Sequence, residues 1–188
     1  MDNKMTIINY LGKNKGKRPT MNALSKAVKV PYATFHRLIS HMKGLVVLDT
    51  IGKAKVVSLN TGNPAIKSYL SVSSEEEKND FLERQPIIRK IASELDTKDI
   101  VLLFGSYAKG KEKERSDIDI MVVNTKGERS ISFSKYEVMF RKKINALFVA
   151  KPELRQMLRE EGENVGKQAL ESHILLNNSE GFWECVYG

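Results

Sequence analysis

Apolar positions in the first sixty residues fall at helical spacing three times before they give way to two short β-prone runs. Met5–Leu11 is the first helical run, followed by a Gly/Lys/Pro loop over 12–19. Thr20 is placed to cap a second helix with Met21, Leu24, Ala27 and Val28 on one face. Val30-Pro31 reads as a sharp turn, since proline is tolerated at the first position of a helix. In the third helix, Phe35, Leu38, Ile39 and Met42 recur at i, i+3, i+4 and i+7, which turns His36, Arg37, Ser40, His41 and Lys43 outward. The runs 44–48 and 55–59, separated by Gly52-Lys53, predict a β-hairpin.

The pattern changes after the turn cluster Asn60-Thr61-Gly62-Asn63-Pro64. Residues 66–70 suggest a helical connector, 71–77 turn acidic, and a linker is expected over 71–84. Beyond it, Ile87, Ile88, Ile91 and Leu95 mark an amphipathic helix, and 99–104 is a continuous apolar strand suited to the middle of a sheet. Gly105-Ser106 ends that strand, and a short helix is expected from Tyr107 to Gly110. Residues 117–123 form a second strand, 134–142 a helix, and 143–149 a third strand. Helices follow at 152–158 and 164–170. Phe182-Trp183 is expected to anchor the core, and His173, beside Ile174-Leu175-Leu176, to sit satisfied at the core edge. The expected organisation is therefore a head (1–70), a linker (71–84) and a second domain (85–188) of class α+β, a mixed sheet with flanking helices.

Composition separates the two halves. The 188 residues carry a net charge of +8. Residues 1–70 hold ten Lys and two Arg against Asp2 and Asp49, hence +10; the remaining nineteen basic and twenty-one acidic residues leave −2. A head this basic is suited to a polyanion. The single Cys185 excludes an internal disulfide or a zinc framework and points to the reducing cytoplasm. No apolar run approaches the about 18 residues that span a bilayer, so no membrane partner is expected.

The chemistry concentrates between 105 and 119. A strand that breaks at Gly105-Ser106 into a helix lets the backbone approach phosphate closely, and the Ser106 hydroxyl and N–H can bind phosphate oxygens. Lys109, Lys111, Lys113 and Arg115 add positive charge. Alternation places Asp117 and Asp119 on one face of the next strand, about 7 Å apart, where they could share one or two Mg²⁺ ions.

Two resemblances follow. Leu24–Pro31, Thr34–Ile39 and Gly44-Leu45-Val46 resemble the helix, turn, recognition helix and wing entry of a winged helix-turn-helix. This implies double-stranded DNA as a partner, with base-facing candidates Tyr32, Thr34, His36, Arg37 and Ser40. Phosphate contacts are expected from Lys53 and Lys55 at the wing and from Lys13, Lys15, Lys17 and Arg18 in the first loop. Gly105-Ser106, the ten-residue gap and Ser116-Asp117-Ile118-Asp119 resemble the minimal nucleotidyltransferases of the DNA polymerase β superfamily. That resemblance implies Mg²⁺-dependent transfer of a nucleotidyl group from an NTP, ATP being the first choice, onto a hydroxyl. Gly105, Ser106 and Lys109 would grip the nucleotide, and Asp117 and Asp119 would be metal ligands and catalytic residues.

The family pattern carries a third carboxylate on the following strand, where this chain has Asn145. An amide can ligate Mg²⁺ but cannot take a proton. Three alternatives stand: activity is reduced, Glu137 substitutes, or the fold persists without the chemistry. Two functions follow. One is a DNA-tethered nucleotidyltransferase acting on a protein or nucleic-acid hydroxyl. The other is a weak or inactive relative, a regulator or antitoxin that binds DNA and a nucleotide or protein partner, with a homodimer left open.

Overall fold

The computed structural model describes residues 1–188, which divide into two compact units, Met1–Ser73 and Ser74–Gly188. In the first unit, Asp2 caps helix α1 (Asn3–Lys13) by accepting a hydrogen bond from the Met5 N–H at 2.8 Å. The Thr20 hydroxyl accepts from the Ala23 N–H at 3.2 Å and so starts α2 (Met21–Ala27). Pro31, at the cap rather than inside the helix, precedes α3 (Tyr32–His41). Strands β1 (Val46–Ile51) and β2 (Ala54–Leu59) pair antiparallel around Gly52-Lys53, and Gly52 takes the φ of 60° that so tight a hairpin turn requires. Ile7, Ile8, Leu24, Phe35, Ile39, Met42 and Val57 close a core that leaves almost nothing of these side chains exposed. Pro19 ties the loop before α2 to the hairpin by accepting from the Val57 N–H at 2.9 Å.

The stretch expected as a linker is structured. Helix α4 (Ile66–Leu82) continues through residues 71–82, and the boundary between the units falls inside it, at Ser73/Ser74. Its acidic run 75–77 lies between Ser74, whose hydroxyl accepts from Trp183 Nε1–H at 2.9 Å, and Phe81-Leu82, which pack on the core of the second unit. A solvated helix face and a linker share an acidic composition, so charge density alone does not tell them apart.

The second unit carries α5 (Pro86–Ser93), β3 (Ile100–Phe104), α6 (Gly105–Ala108), β4 (Ile118–Asn124), α7 (Ser134–Phe140), β5 (Ile144–Ala150), α8 (Lys151–Arg159), α9 (Val165–Glu171), β6 (Ile174–Asn177) and α10 (Ser179–Tyr187). Its sheet has the order β5-β4-β3-β6, with β4 and β5 parallel and the other neighbours antiparallel. Val101, Leu103, Ile118, Ile120, Val122, Ile144, Ile174 and Leu176 form one buried face, against Ile88 and Ile91 of α5 and Tyr136 of α7. The alternate positions, among them Leu102, Met121 and Leu175, are equally buried beneath the helices that follow β5. Phe182 and Trp183 meet edge to face there, 5.1 Å apart, and carry the anchoring role expected of them. His173 is buried and donates from Nδ1 to the carbonyls of Ala169 (2.8 Å) and Leu170 (2.9 Å). No helix is long and apolar enough to cross a membrane.

Strand β5 lies at the sheet edge. Its Ile144 N–H turns outward to the Glu137 carboxylate at 2.9 Å, and its Ala150 N–H reaches the Glu153 carboxylate at 3.3 Å.

Candidate functional site

The site is built at the junction of β3, α6, β4 and β5. In the antiparallel ladder Phe104 lies opposite Asp119, so the residue after Phe104 sits against the Asp119 carboxylate. That residue is Gly105, with a φ of 70°. A Cβ there would overlap the carboxylate itself. Two demands converge on one position, a left-handed backbone and no side chain, and only glycine meets both at no cost. The single-turn helix α6 begins at Gly105, not at Tyr107 as expected, with Ser106 half-buried in its first turn and Lys109 exposed just after it. First-turn N–H groups lie outside a helix's own ladder and are free for an anion.

The loop joining α6 to β4 is pinned at two places and closed by one bond of its own. Gln85 Nε2 donates to Glu112 at 2.7 Å, the Lys113 N–H donates to the Ser116 hydroxyl at 2.8 Å, and the Lys142 ammonium donates to the Glu114 carbonyl. Between these anchors Lys111, Lys113 and Arg115 stay exposed. The loop that leads into Asp117 therefore exposes three cations, with Glu114 among them.

Asp117 precedes β4 and Asp119 is its second residue, so both side chains leave one face, opposite the buried Ile118 and Ile120. The parallel register sets Asp119 beside Asn145. Asn145 donates from Nδ2 to Asp117 at 3.3 Å and to Asp119 at 3.1 Å, bridging the two carboxylates with one amide. Two positions earlier on the same face, Lys143 reaches Asp117 at 3.7 Å. Sequence reasoning gave Lys143 no role beyond opening a strand. The signal was there in the spacing, because i and i+2 on a strand share a face.

Glu137 does not complete the acidic set. Its carboxylate is held by the Ile144 N–H and lines a cavity of about 320 Å³ with Ile144, Ala146 and Phe148, which face away from Asn145 on the strand. Of the alternatives for the missing third acid, substitution by Glu137 is removed. The remaining donors are two carboxylates and one amide oxygen, a hard-oxygen set suited to Mg²⁺. Asp117 is 42% exposed at its side chain and so reachable by an ion. Turning the Asn145 amide over would present its oxygen where its nitrogen now lies.

In the first unit, Tyr32, His36, Arg37 and Ser40 lie exposed along α3, while Thr34 is half-buried. The Arg37 carbonyl accepts from the Ser40 hydroxyl and from His41 Nδ1, each at 2.7 Å. Lys53 is exposed at the hairpin turn and Lys55 on β2. Between α3 and the hairpin runs a groove of about 400 Å³ lined by His36, Ser40, Lys43, Leu48 and Lys55. Arg18, expected to face phosphate, is instead paired with Asp49.

Comparison with curated proteins and with solved structures finds no match. A family model described as polymerase beta, nucleotidyltransferase, does match, over residues 87–180, which is half of the chain and runs from α5 to the start of α10. It spans every residue of the Gly105–Asp119–Asn145 junction, and on that ground the chain belongs to the polymerase beta nucleotidyltransferase family.

Proposed function

We propose that the second unit moves a nucleoside monophosphate from an NTP, ATP in the first instance, onto a hydroxyl of a protein or nucleic acid. The acceptor oxygen bonds to the α-phosphorus as the bond to the pyrophosphate oxygen breaks, and the acceptor proton leaves to solvent. Asp117 and Asp119 would hold Mg²⁺, with the Asn145 oxygen as a third donor. When bound, such an ion neutralises the phosphate oxygens and the leaving group. Gly105 keeps the backbone low enough for phosphates to approach, Ser106 offers its hydroxyl and N–H, and Lys109 adds charge at the rim. The single observation that carries this reading is the convergence of Gly105 and Asp119, where a Cβ would overlap the carboxylate. The three helices and hairpin of the first unit are read as a winged helix that binds duplex DNA through α3 and the lysines of the hairpin. A reducing compartment, the cytoplasm, suits a chain whose one cysteine is buried.

Labelled NTPs, Mg²⁺ and cell extract test the transfer. The wild-type chain should label an acceptor and an Asp117→Ala/Asp119→Ala variant should not; equal labelling by the two would end the enzymatic reading.

One observation favours a second reading. The amide that bridges Asp117 and Asp119 is neutral and cannot accept the acceptor's proton. A site so built suits slow turnover or nucleotide binding alone, in a DNA-bound regulator with a nucleotide or protein partner. The same labelling assay separates the two readings, because a regulator binds nucleotide and DNA yet labels nothing.

A further inference from the structure

We infer that Lys143 takes the place of a second divalent cation, so that the site holds a single Mg²⁺ when charged. The inference rests on the nucleotidyltransferase reading of the site and goes beyond it. It starts from Asn145 on β5 and Lys143 in the residue before that strand, two positions apart and both directed at the pair Asp117 and Asp119. Asn145 binds one oxygen of each carboxylate, and Lys143 approaches the same Asp117 oxygen that Asn145 touches. Asp117 therefore meets a covalently tethered positive charge, and the bridging position between the carboxylates is filled by a neutral donor.

Charge balance gives this arrangement its meaning. Three carboxylates with two divalent cations present a net charge of plus one to a triphosphate. Two carboxylates with one lysine and one divalent cation also present plus one. The missing acid at Asn145 and the lysine at 143 thus each add one positive charge and together replace the two charges of a second cation, whereas either alone would leave a one-cation site neutral. A second Mg²⁺ here would face only two carboxylates, one of them, Asp117, already paired with Lys143. Lys143 keeps 69% of its side chain exposed, so its ammonium has room to turn from Asp117 toward an incoming phosphate.

Mn²⁺ titration of the full chain, followed by electron paramagnetic resonance and calorimetry, tests the inference with and without a non-hydrolysable ATP analogue. Wild type should bind one Mn²⁺ per chain with the analogue present. Lys143→Ala should tighten Mn²⁺ binding about five- to tenfold, the effect of removing one charge a few ångströms from a divalent ion in a hydrated site. Lys143→Ala/Asn145→Asp should bind two. Because Lys143 is exposed, its removal spares the fold, which circular dichroism verifies. Two Mn²⁺ ions in the wild-type site, or no change in Lys143→Ala, would overturn the inference while the nucleotidyltransferase reading stands. A wild-type chain that binds neither Mn²⁺ nor the analogue would overturn both.

Discussion

Replacing Gly105 by alanine probes the junction where sequence, fold and chemistry meet. The substitution imposes two separable costs. Holding alanine at a φ of 70° costs about 1–2 kcal/mol, the left-handed penalty of a residue with a Cβ. The new methyl also overlaps the Asp119 carboxylate, and forcing it in costs about 1–3 kcal/mol more, as overpacking does elsewhere. The total is about 2–5 kcal/mol, enough to lower the melting temperature of a unit of this size by roughly 10 °C or more. Trp183 is the only tryptophan and is buried in this unit, so its fluorescence follows the relevant transition. The overlap predicts strong coupling to Asp119. In Gly105→Ala/Asp119→Ala the methyl occupies the space that the carboxylate leaves, and only the left-handed penalty remains. A double-mutant cycle should therefore give a coupling energy of about 1–3 kcal/mol. Additive effects of the two substitutions, within about 0.5 kcal/mol, would refute the close approach as the reason for glycine at 105.

Three further outcomes are expected. Glu94 is held well below the usual carboxylate range, at about 2, by the ammonium of Lys90, then that of Lys135 and the Tyr136 hydroxyl. A carboxylate depressed in the folded state stabilises the fold above its unfolded value of about 4.5 and loses that contribution as pH falls toward 2, so urea titrations of Glu94→Gln should show a flatter acid limb than wild type across that window. Ser74→Ala leaves the buried indole N–H of Trp183 without its partner and should cost about 1–3 kcal/mol in thermal unfolding, whereas exposed Ser93→Ala should cost little. On duplex DNA, Arg37→Ala and Lys53→Ala/Lys55→Ala in the full chain should weaken binding by fluorescence anisotropy. The lysine pair should also flatten the plot of log affinity against log salt, by up to about 0.9 for each phosphate that is no longer neutralised.

Much of the architecture is legible because local patterns and tertiary environment agree. Phe35, Ile39 and Met42 recur at helical spacing and are buried, and the continuous apolar run 100–103 lies in an inner strand of the sheet. The short strand β6 is hidden from pattern reading because Ile174-Leu175-Leu176 has no alternation, and a short apolar run buried on both faces looks the same in a strand as in a helix. At the site, Asp117 and Asp119 are visible as one-face neighbours from period two alone. The partners of those acids are another matter. Asn145 is legible as an absence, a missing acid, but its donation to both carboxylates and the approach of Lys143 depend on the parallel register of β4 and β5, which no local pattern encodes.

The border of β5 away from β4 is protected as well. The outward N–H groups at Ile144 and Ala150 are already engaged by Glu137 and Glu153, so the unclaimed backbone shrinks to a window around Ala146–Phe148, too short to recruit a foreign strand. A slip of one residue would carry Asn145 and Lys143 to the opposite face and set Ile144 against the two aspartates. Two glutamates that never face the acidic pair thus close both ends of the strand border that carries Asn145.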